Sequence, residues 1–353
     1  MELNAQYPHL DAYHDVKPRI DAAIKEVGFL LGYQKTYFAI QRELKTALFR
    51  LTDEKFLERI KKENNEALLR EVKKTAPLKD TIVGLIEDID IFETENKKFL
   101  SAIIGSGKID SKDFAVIYPY LYALAEDNTC HDRIPVELVL FFGRNTKEKC
   151  SSLSDDEYAI FCYLLIKIKA KGRYYFAYPH IADELVAIIE SSESMPRKSR
   201  MNFYLEAAEY YAMVCQRDKS MTYYKNAAII ANDQGDFEAS AYAMQKYYRL
   251  NRAFPETMQI KVDVDEIQKE YGKYAMIVLS GIQEPGFKID PVEFTEGFAE
   301  KFQEVMWKVE EEIDKVGDLH TIYQRWSLRE KYFAEMNITW RNPKTMNPDV
   351  MFD

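Results

Sequence analysis

The chain has 353 residues, of which 47% are hydrophobic and 30% are charged. This composition is too apolar for an intrinsically disordered chain, and 13 glycines with 12 prolines are too few for many tight turns between strands. The net charge of −10 is uneven, because residues 261–353 hold 12 basic and 19 acidic residues whereas residues 131–260 hold 17 of each. The acidic final third therefore argues against broad nucleic-acid binding in that region.

Cysteine usage and the shortness of the apolar runs bear on the compartment. No CxxC pair occurs, and no disulfide framework is expected from Cys130, Cys150, Cys162 and Cys215. Residues 1–20 are too polar for a signal peptide, and runs such as Ala275–Leu279 are far shorter than a membrane span. We therefore expect a cytoplasmic protein that does not enter the membrane.

Apolar residues recur at helical spacing along the first part of the chain. Lys17–Leu51 is predicted as one long helix or as two helices joined near Gly32. Asp53 is a predicted cap for the next helix, which Pro77 ends. Further helices are predicted over Thr81–Phe99, Phe114–Ala125 and Val136–Phe142, followed by a polar loop over Gly143–Leu153.

Helix-start signals are clearer in the second part. Ser154 and Glu157 form an S-x-x-E capping pattern, which predicts a helix that ends near Gly172. The same kind of signal at Asp290-Pro291-Val292-Glu293 predicts a helix that continues to Val316. Further helices are predicted over Ile181–Ile189 and from Asp318 to Met336, and a short strand over Gln259–Val264.

Together these elements predict an all-α fold of roughly a dozen helices, stacked as helical hairpins. We expect an N-terminal helical unit over 1–150, a unit of repeat-like hairpins over 151–255, and a C-terminal helical hairpin with an irregular tail over 256–353. The tail, from Trp340 onward, is expected to pack on its own protein because exposed apolar tails are a liability.

Residues 201–252 resemble tetratricopeptide repeats, which are helical hairpins of about 34 residues. The resemblance rests on large and small residues at suitable spacings: Tyr204, Ala207, Ala208, Tyr211, Ser220, Tyr224 and Ala227. A second start follows at Gly235-Asp236-Phe237. The resemblance implies helical hairpins and a tendency to bind peptides or proteins, and it implies no chemistry.

Basic and aromatic residues interleave in the neutral middle of the chain. Such a pattern can hold a phosphate backbone while stacking bases, or it can hold an acidic peptide. It can also be a solvated helix end whose aromatic residues pack inward. The candidate ligand-binding residues are Lys169, Lys171, Arg173, Tyr175, Tyr178, His180, Arg197, Lys198 and Arg200.

Motifs for catalysis, nucleotides and metals are absent from the sequence. Cys130, His131 and Cys150 are three candidate zinc ligands, but no fourth accompanies them. Gly105-Ser106-Gly107-Lys108 lacks the spacing of a phosphate loop and is interpreted as a turn. We therefore expect no catalytic residues, no metal and no cofactor.

The leading hypothesis is a non-catalytic scaffold or adaptor that binds a protein or peptide through its helical hairpins. One alternative is a helical regulator that binds nucleic acid or nucleotide through residues 167–200. Another is an enzyme with a pocket near Tyr178 and His180. The sequence favours a protein partner over nucleic acid, and it does not indicate the oligomeric state.

Overall fold

A computed structural model describes residues 10–31, 36–126, 138, 146–171, 174–177, 179–193, 195–254, 256–283, 288–316 and 322–351, with side chains from residue 18 onward. The fold is all-α, as the sequence predicts, and no strand occurs among these residues. Within the same residues, no helix combines the length and hydropathy needed to cross a lipid bilayer. The predicted helix over Val136–Phe142 lies almost wholly outside the described residues.

The chain divides into two compact units, Met1–Ser154 and Asp155–Asp353. The helices described in the first unit are α1 (Leu10–Leu31), α2 (Tyr37–Thr52), α3 (Glu54–Lys62), α4 (Glu66–Thr75), α5 (Lys79–Ser106), α6 (Ser111–Glu126) and the single turn α7 (Thr146–Lys149). Those described in the second unit are α8 (Asp155–Lys171), α9 (His180–Ser191), α10 (Arg197–Met213), α11 (Arg217–Asp233), α12 (Phe237–Ala253), α13 (Val264–Tyr271), α14 (Ala275–Gln283), α15 (Phe298–Val316), α16 (Ile322–Glu335) and the single turn α17 (Pro343–Met346).

The first unit is built around α5, which packs against α1, α2 and α6. Phe38, Phe92 and Tyr120 are fully buried, and Tyr120 meets the other two rings nearly edge-on. The buried amide of Gln41 donates to the carbonyl of Ile86 (3.2 Å) and to the carboxylate of Asp90 (2.7 Å). Because a buried polar group is costly unless it is paired, these hydrogen bonds fix the register between α2 and α5.

One predicted helix of the first unit is two helices in the structure. The helix expected from Asp53 to Pro77 is interrupted between α3 and α4, where Asn64 adopts a left-handed conformation (φ 51°). Asn65 then caps α4 by accepting from the backbone N–H of Leu68. Asparagine tolerates left-handed backbone and is a strong helix cap, so these two residues break the helix without a glycine or proline.

The second unit begins with a series of helices in which each packs on the next. α8 packs on α9 and α10, α10 on α11, α11 on α12, and α12 on α14. The contact between α12 and α14 is close at Gly281, where an added Cβ would lie 2.3 Å from the carbonyl oxygen of Gln245. The side-chain amide of Gln245 also donates to the hydroxyl of Ser280 (2.7 Å). Only glycine allows this approach of two backbones.

Two turns of similar backbone geometry join α10, α11 and α12. In the first, Cys215 has a positive φ of 62°, and the N–H of Gln216 donates to the carbonyl of Tyr211 (2.8 Å). In the second, Gly235 has a φ of 73°, and the N–H of the next residue donates to the carbonyl of Ala231 (3.0 Å). A left-handed residue after a helix lets the following N–H satisfy a free helix carbonyl.

The strand predicted over Gln259–Val264 does not form. Residues 259–263 are irregular, and the next helix begins at Val264. The backbone of Ile260 is paired by a side chain instead, since the amide of Asn251 donates to its carbonyl (3.1 Å) and accepts from its N–H (2.8 Å). This pairing supplies the hydrogen bonds that a neighbouring strand would have made.

The helix predicted to start at Asp290 is also wrong in its first turns. Asp290 does cap Pro291–Phe294, but that segment is a single 3₁₀ turn. The chain then changes direction at Gly297 (φ 75°), and α15 begins at Phe298. The capping signal is therefore real, but a left-handed glycine ends the turn that it starts.

The described part of the tail packs on the C-terminal region of the second unit. Trp340 is buried, and the backbone N–H of Arg341 donates to the carboxylate of Asp290 (2.7 Å). The side chain of Asn347 donates to the carbonyl of Lys288 (2.9 Å) and accepts from its N–H (2.7 Å). These contacts agree with a tail that docks on its own chain.

Candidate functional site

The described basic residues of the predicted basic-aromatic cluster do not form one surface. Lys167 makes an ion pair with Glu206 (3.4 Å). Lys169 is fully buried, where it donates to the carbonyl of Ala177 (3.0 Å), and burial lowers the pKa of its ammonium group to about 7. The cluster therefore supplies buried structural contacts as well as surface charge.

The other candidate residues that the structure describes differ in their exposure. Arg197 and Lys198 are exposed at the start of α10, whereas Arg200 donates to the carbonyl of Ser192 (2.5 Å). His180 is half-buried; burial lowers its pKa, and the carboxylate of Glu184 opposes that shift. The side chain of Lys171 and the whole of Arg173 and Tyr178 lie outside the described residues.

Tyr175, another of the described candidate residues, lines a cavity. Its backbone lies in a turn held by two other helices: Tyr210 of α10 donates to the carbonyls of Tyr175 (2.7 Å) and Ala177 (3.2 Å), and Lys169 of α8 donates to the latter. Its phenol accepts a hydrogen bond from Arg329 of α16 (3.4 Å). Burial raises the pKa of this phenol, so it stays protonated and retains a donor.

This cavity, here called the C-terminal cavity, has a volume of about 360 Å³. Residues 322, 326 and 329 of α16 are spaced along one helix face and line it together with Phe302 of α15. The tail contributes a wall through Trp340, Pro343 and Met346. The lining is mainly apolar with a few charged groups, which is the usual character of a small-ligand site.

A second, larger depression adjoins it. We call it the Met258 groove; it consists of a cavity of about 470 Å³ and a neighbouring one of about 360 Å³, which share Asp218, Phe254 and Met258 in their lining. Tyr247 and Ile260 also line the second cavity, and the side chains of Met258 and Ile260 are about half exposed, at 51% and 49%. Apolar side chains that remain exposed beside a depression are typical of a surface that binds another molecule.

The groove and the C-terminal cavity have one wall in common, formed by Cys215, Arg217 and Glu293. The carboxylate of Glu293 accepts from Arg217 (2.5 Å) and from the indole N–H of Trp340 (2.8 Å). The thiol of Cys215 lies 3.7 Å from the same carboxylate. Burial raises the pKa of that thiol to about 12, and the negative charge of Glu293 adds to the effect. This shared wall is therefore polar, with its main charges paired, and it separates the mainly apolar C-terminal cavity from a groove of mixed polarity.

Several of these residues are absent from the sequence-based list of candidates. Glu293 was interpreted as part of a helix-start signal, whereas its side chain pairs with Arg217. Arg329 and Trp326 were assigned only to a C-terminal helix, although their spacing of three already places them on one face. No sequence signal connects this face with residue 175 or residue 215, because the three are far apart in the chain.

Other kinds of site receive no support in the described part of the chain. No group of three or more His, Cys, Asp or Glu side chains is arranged there to hold a metal ion. Cys130 and His131, two of the three candidate zinc ligands, lie outside the described residues. No protein-family model, no curated protein and no solved structure matches the chain.

Proposed function

We propose that this protein is a non-catalytic scaffold or adaptor, and that it binds a peptide segment of a partner protein in the Met258 groove. The observation that carries the proposal is the pair of adjoining cavities with Met258 and Ile260 half exposed at their edge. A groove with exposed apolar side chains can accept the apolar side chains of a segment laid along it.

The charges around the groove set the character of the segment. Basic and acidic side chains both line the larger cavity, among them Arg217, Lys219, Glu296 and Glu300. A segment with apolar anchor residues and charges of both signs complements such a rim. A nucleic acid would meet the acidic side chains as well as the basic ones, and its phosphates would be repelled by them.

The two alternatives from the sequence have weaker support. Nucleic-acid binding through residues 167–200 needs a common basic surface, whereas Lys167 is ion-paired and Lys169 is buried. The enzyme alternative has one favourable observation, the lowered pKa of half-buried His180 near Glu184. A perturbed histidine also occurs in purely structural clusters, and here Glu184 accepts a hydrogen bond from Tyr158.

The experiment is a selection of random peptides displayed on phage against the intact chain, followed by calorimetry on the selected peptides. We expect a consensus with at least two apolar anchor positions. Met258→Glu should weaken binding at least tenfold, because it puts a charge among apolar anchors. The matched control is Met276→Glu on α14, which makes the same change at a side chain that is 67% exposed and lies outside the groove.

Two results would overturn the proposal. One is a selection that yields no consensus from the intact protein. The other is a consensus peptide whose affinity falls equally in the Met258→Glu and Met276→Glu proteins, since the binding surface would then lie elsewhere.

A further inference from the structure

The charges that line the C-terminal cavity do not balance. Four basic residues line it against two acidic ones. Two pairs are neutralised: Arg217 with Glu293 (2.5 Å) and Arg341 with Asp290 (3.0 Å). Within the described residues, Arg329 has no carboxylate within ion-pair distance. The cavity therefore has a surplus of positive charge in a chain whose net charge is −10.

The guanidinium of Arg329 is held in place by neighbouring side chains, but not all of its hydrogen-bond donors have partners. Its Nη2 donates to the phenol of Tyr175 (3.4 Å), and its guanidinium lies 5.8 Å from the ring centre of Phe302. Its Nε is buried and has no hydrogen-bond partner. A guanidinium offers a planar fork of donors that matches a carboxylate. Because Nε is buried, a ligand in the cavity would be held by the Nη atoms of this fork.

The acidic side chains of the lining do not oppose an added anion strongly. Glu293 is already paired with Arg217 and hydrogen-bonded to Trp340. Burial alone would raise the pKa of Asp290, but hydrogen bonds from Arg341 and from the N–H of Val292 outweigh it and lower that pKa. Both carboxylates thus have their own partners, which leaves Lys288 and Arg329 of the four basic residues. Lys288 is exposed, whereas Arg329 is partly buried beside Phe302, so Arg329 is the cation that we assign to a ligand.

The rest of the cavity is apolar and of modest size. Ile322 and Trp326 from α16, Phe302 from α15 and Trp340 from the tail surround the space. Its volume of about 360 Å³ lies near the lower end of small-ligand sites, which span about 300–1,000 Å³. One apolar body of the size of an aromatic ring with a short chain fits within such a space.

From this arrangement we propose that the C-terminal cavity binds a small amphiphilic monocarboxylate, with the carboxylate on Arg329 and the apolar body between Phe302, Trp326 and Trp340. The site is distinct from the Met258 groove, and its ligand is a free organic acid. The proposal does not depend on peptide binding in the groove.

The test uses 3-phenylpropionate as the probe and 3-phenylpropionamide as its neutral counterpart, titrated into the intact protein by calorimetry at low salt. The acid should bind at least tenfold more tightly than the amide, because only the acid pairs with Arg329. Arg329→Gln should remove this preference. Lys331→Gln, which removes one exposed positive charge from the same helix, should leave it unchanged, as should Met258→Glu in the groove.

Equal affinity for acid and amide in the wild-type protein would overturn the proposal, and so would an acid preference that persists in Arg329→Gln. The wild-type comparison decides the question even where Arg329→Gln does not fold. A final arm uses acetyl-Gly-Gly-Phe with a free carboxyl group. Binding of this peptide at least tenfold more tightly than 3-phenylpropionate would overturn the free acid as the occupant and indicate a chain terminus instead.

Discussion

The turns at Cys215 and Gly235 have similar left-handed backbone geometry but different residues at the left-handed position. Both have a left-handed residue after a helix, and in both the next N–H donates to a free helix carbonyl. Glycine adopts this conformation freely, whereas any other residue pays roughly 1 kcal/mol or more. Cys215 lines the C-terminal cavity and the Met258 groove, whereas Gly235 lines neither of them. The two turns have similar geometry, so we infer that the side chain of Cys215, and not the turn geometry, accounts for a non-glycine residue at position 215.

The largest expected effect concerns the acidic residue associated with each turn. Glu293→Ala should destabilise the second unit by about 3 kcal/mol, because it leaves the largely buried Arg217 without its partner. Asp236→Ala at the other turn should cost only about 1 kcal/mol, because it removes just the cap on the N–H of Ala239. Urea unfolding followed by circular dichroism measures both. Equal losses would mean that the wall at Cys215 is no more than a helix cap.

The next effect isolates the backbone. Cys215→Gly should be about 1 kcal/mol more stable than Cys215→Ala, and Gly235→Ala should lose about 1 kcal/mol relative to wild type. The two differences should agree, because both compare glycine with alanine at a positive φ. The same urea titrations give both values. A clear difference between the two values would contradict the prediction and show that the two turn backbones are not energetically equivalent.

The smallest effect is a dependence on pH at the cysteine alone. The pKa of the Cys215 thiol is raised from 9.0 to about 12 in the folded chain. Between these values the unfolded chain loses a proton that the folded chain keeps, so stability falls as pH rises. The contribution should amount to about 0.8 kcal/mol at pH 9.5 and vanish near pH 7.

Comparison with Cys215→Ala removes the contributions of the other titrating groups. The stability difference between the wild-type and Cys215→Ala proteins should therefore shift by about 0.8 kcal/mol between pH 7 and 9.5, against the wild type. A difference that stays constant over this range would mean that the thiol ionises in the folded protein as it does in the unfolded one.

The helical nature of the fold was predictable from the sequence, but several boundaries were not. Periodic apolar residues and scarce glycine and proline predict helices, and the structure confirms an all-α fold. The break at Asn64 was missed because asparagine is a weaker signal than glycine or proline. The strand predicted over Gln259–Val264 was wrong. An alternating pattern indicates extended backbone, but it does not show what pairs with that backbone. Here the side chain of Asn251 does so in place of a neighbouring strand.

The candidate site was less predictable than the fold. The sequence-based cluster of basic and aromatic residues treats neighbours in the chain as neighbours in space. The cavities instead combine Tyr175, Cys215, Glu293, Arg329 and Trp340, each from a different segment. Helical packing brings them together, and no local periodicity encodes which helix face meets which. Only the common face of Trp326 and Arg329 could have been recognised from spacing.

The placement of the tryptophans gives the chain an internal optical reporter. All three tryptophans belong to the unit Asp155–Asp353: Trp307, Trp326 and Trp340. Indole emission therefore reports the unfolding of that unit and does not report the unfolding of the other. Two of the three line the C-terminal cavity, whereas none lines the Met258 groove. A molecule that enters the cavity must therefore change the surroundings of two of the three fluorophores, and occupancy of this space can be followed by light without a label.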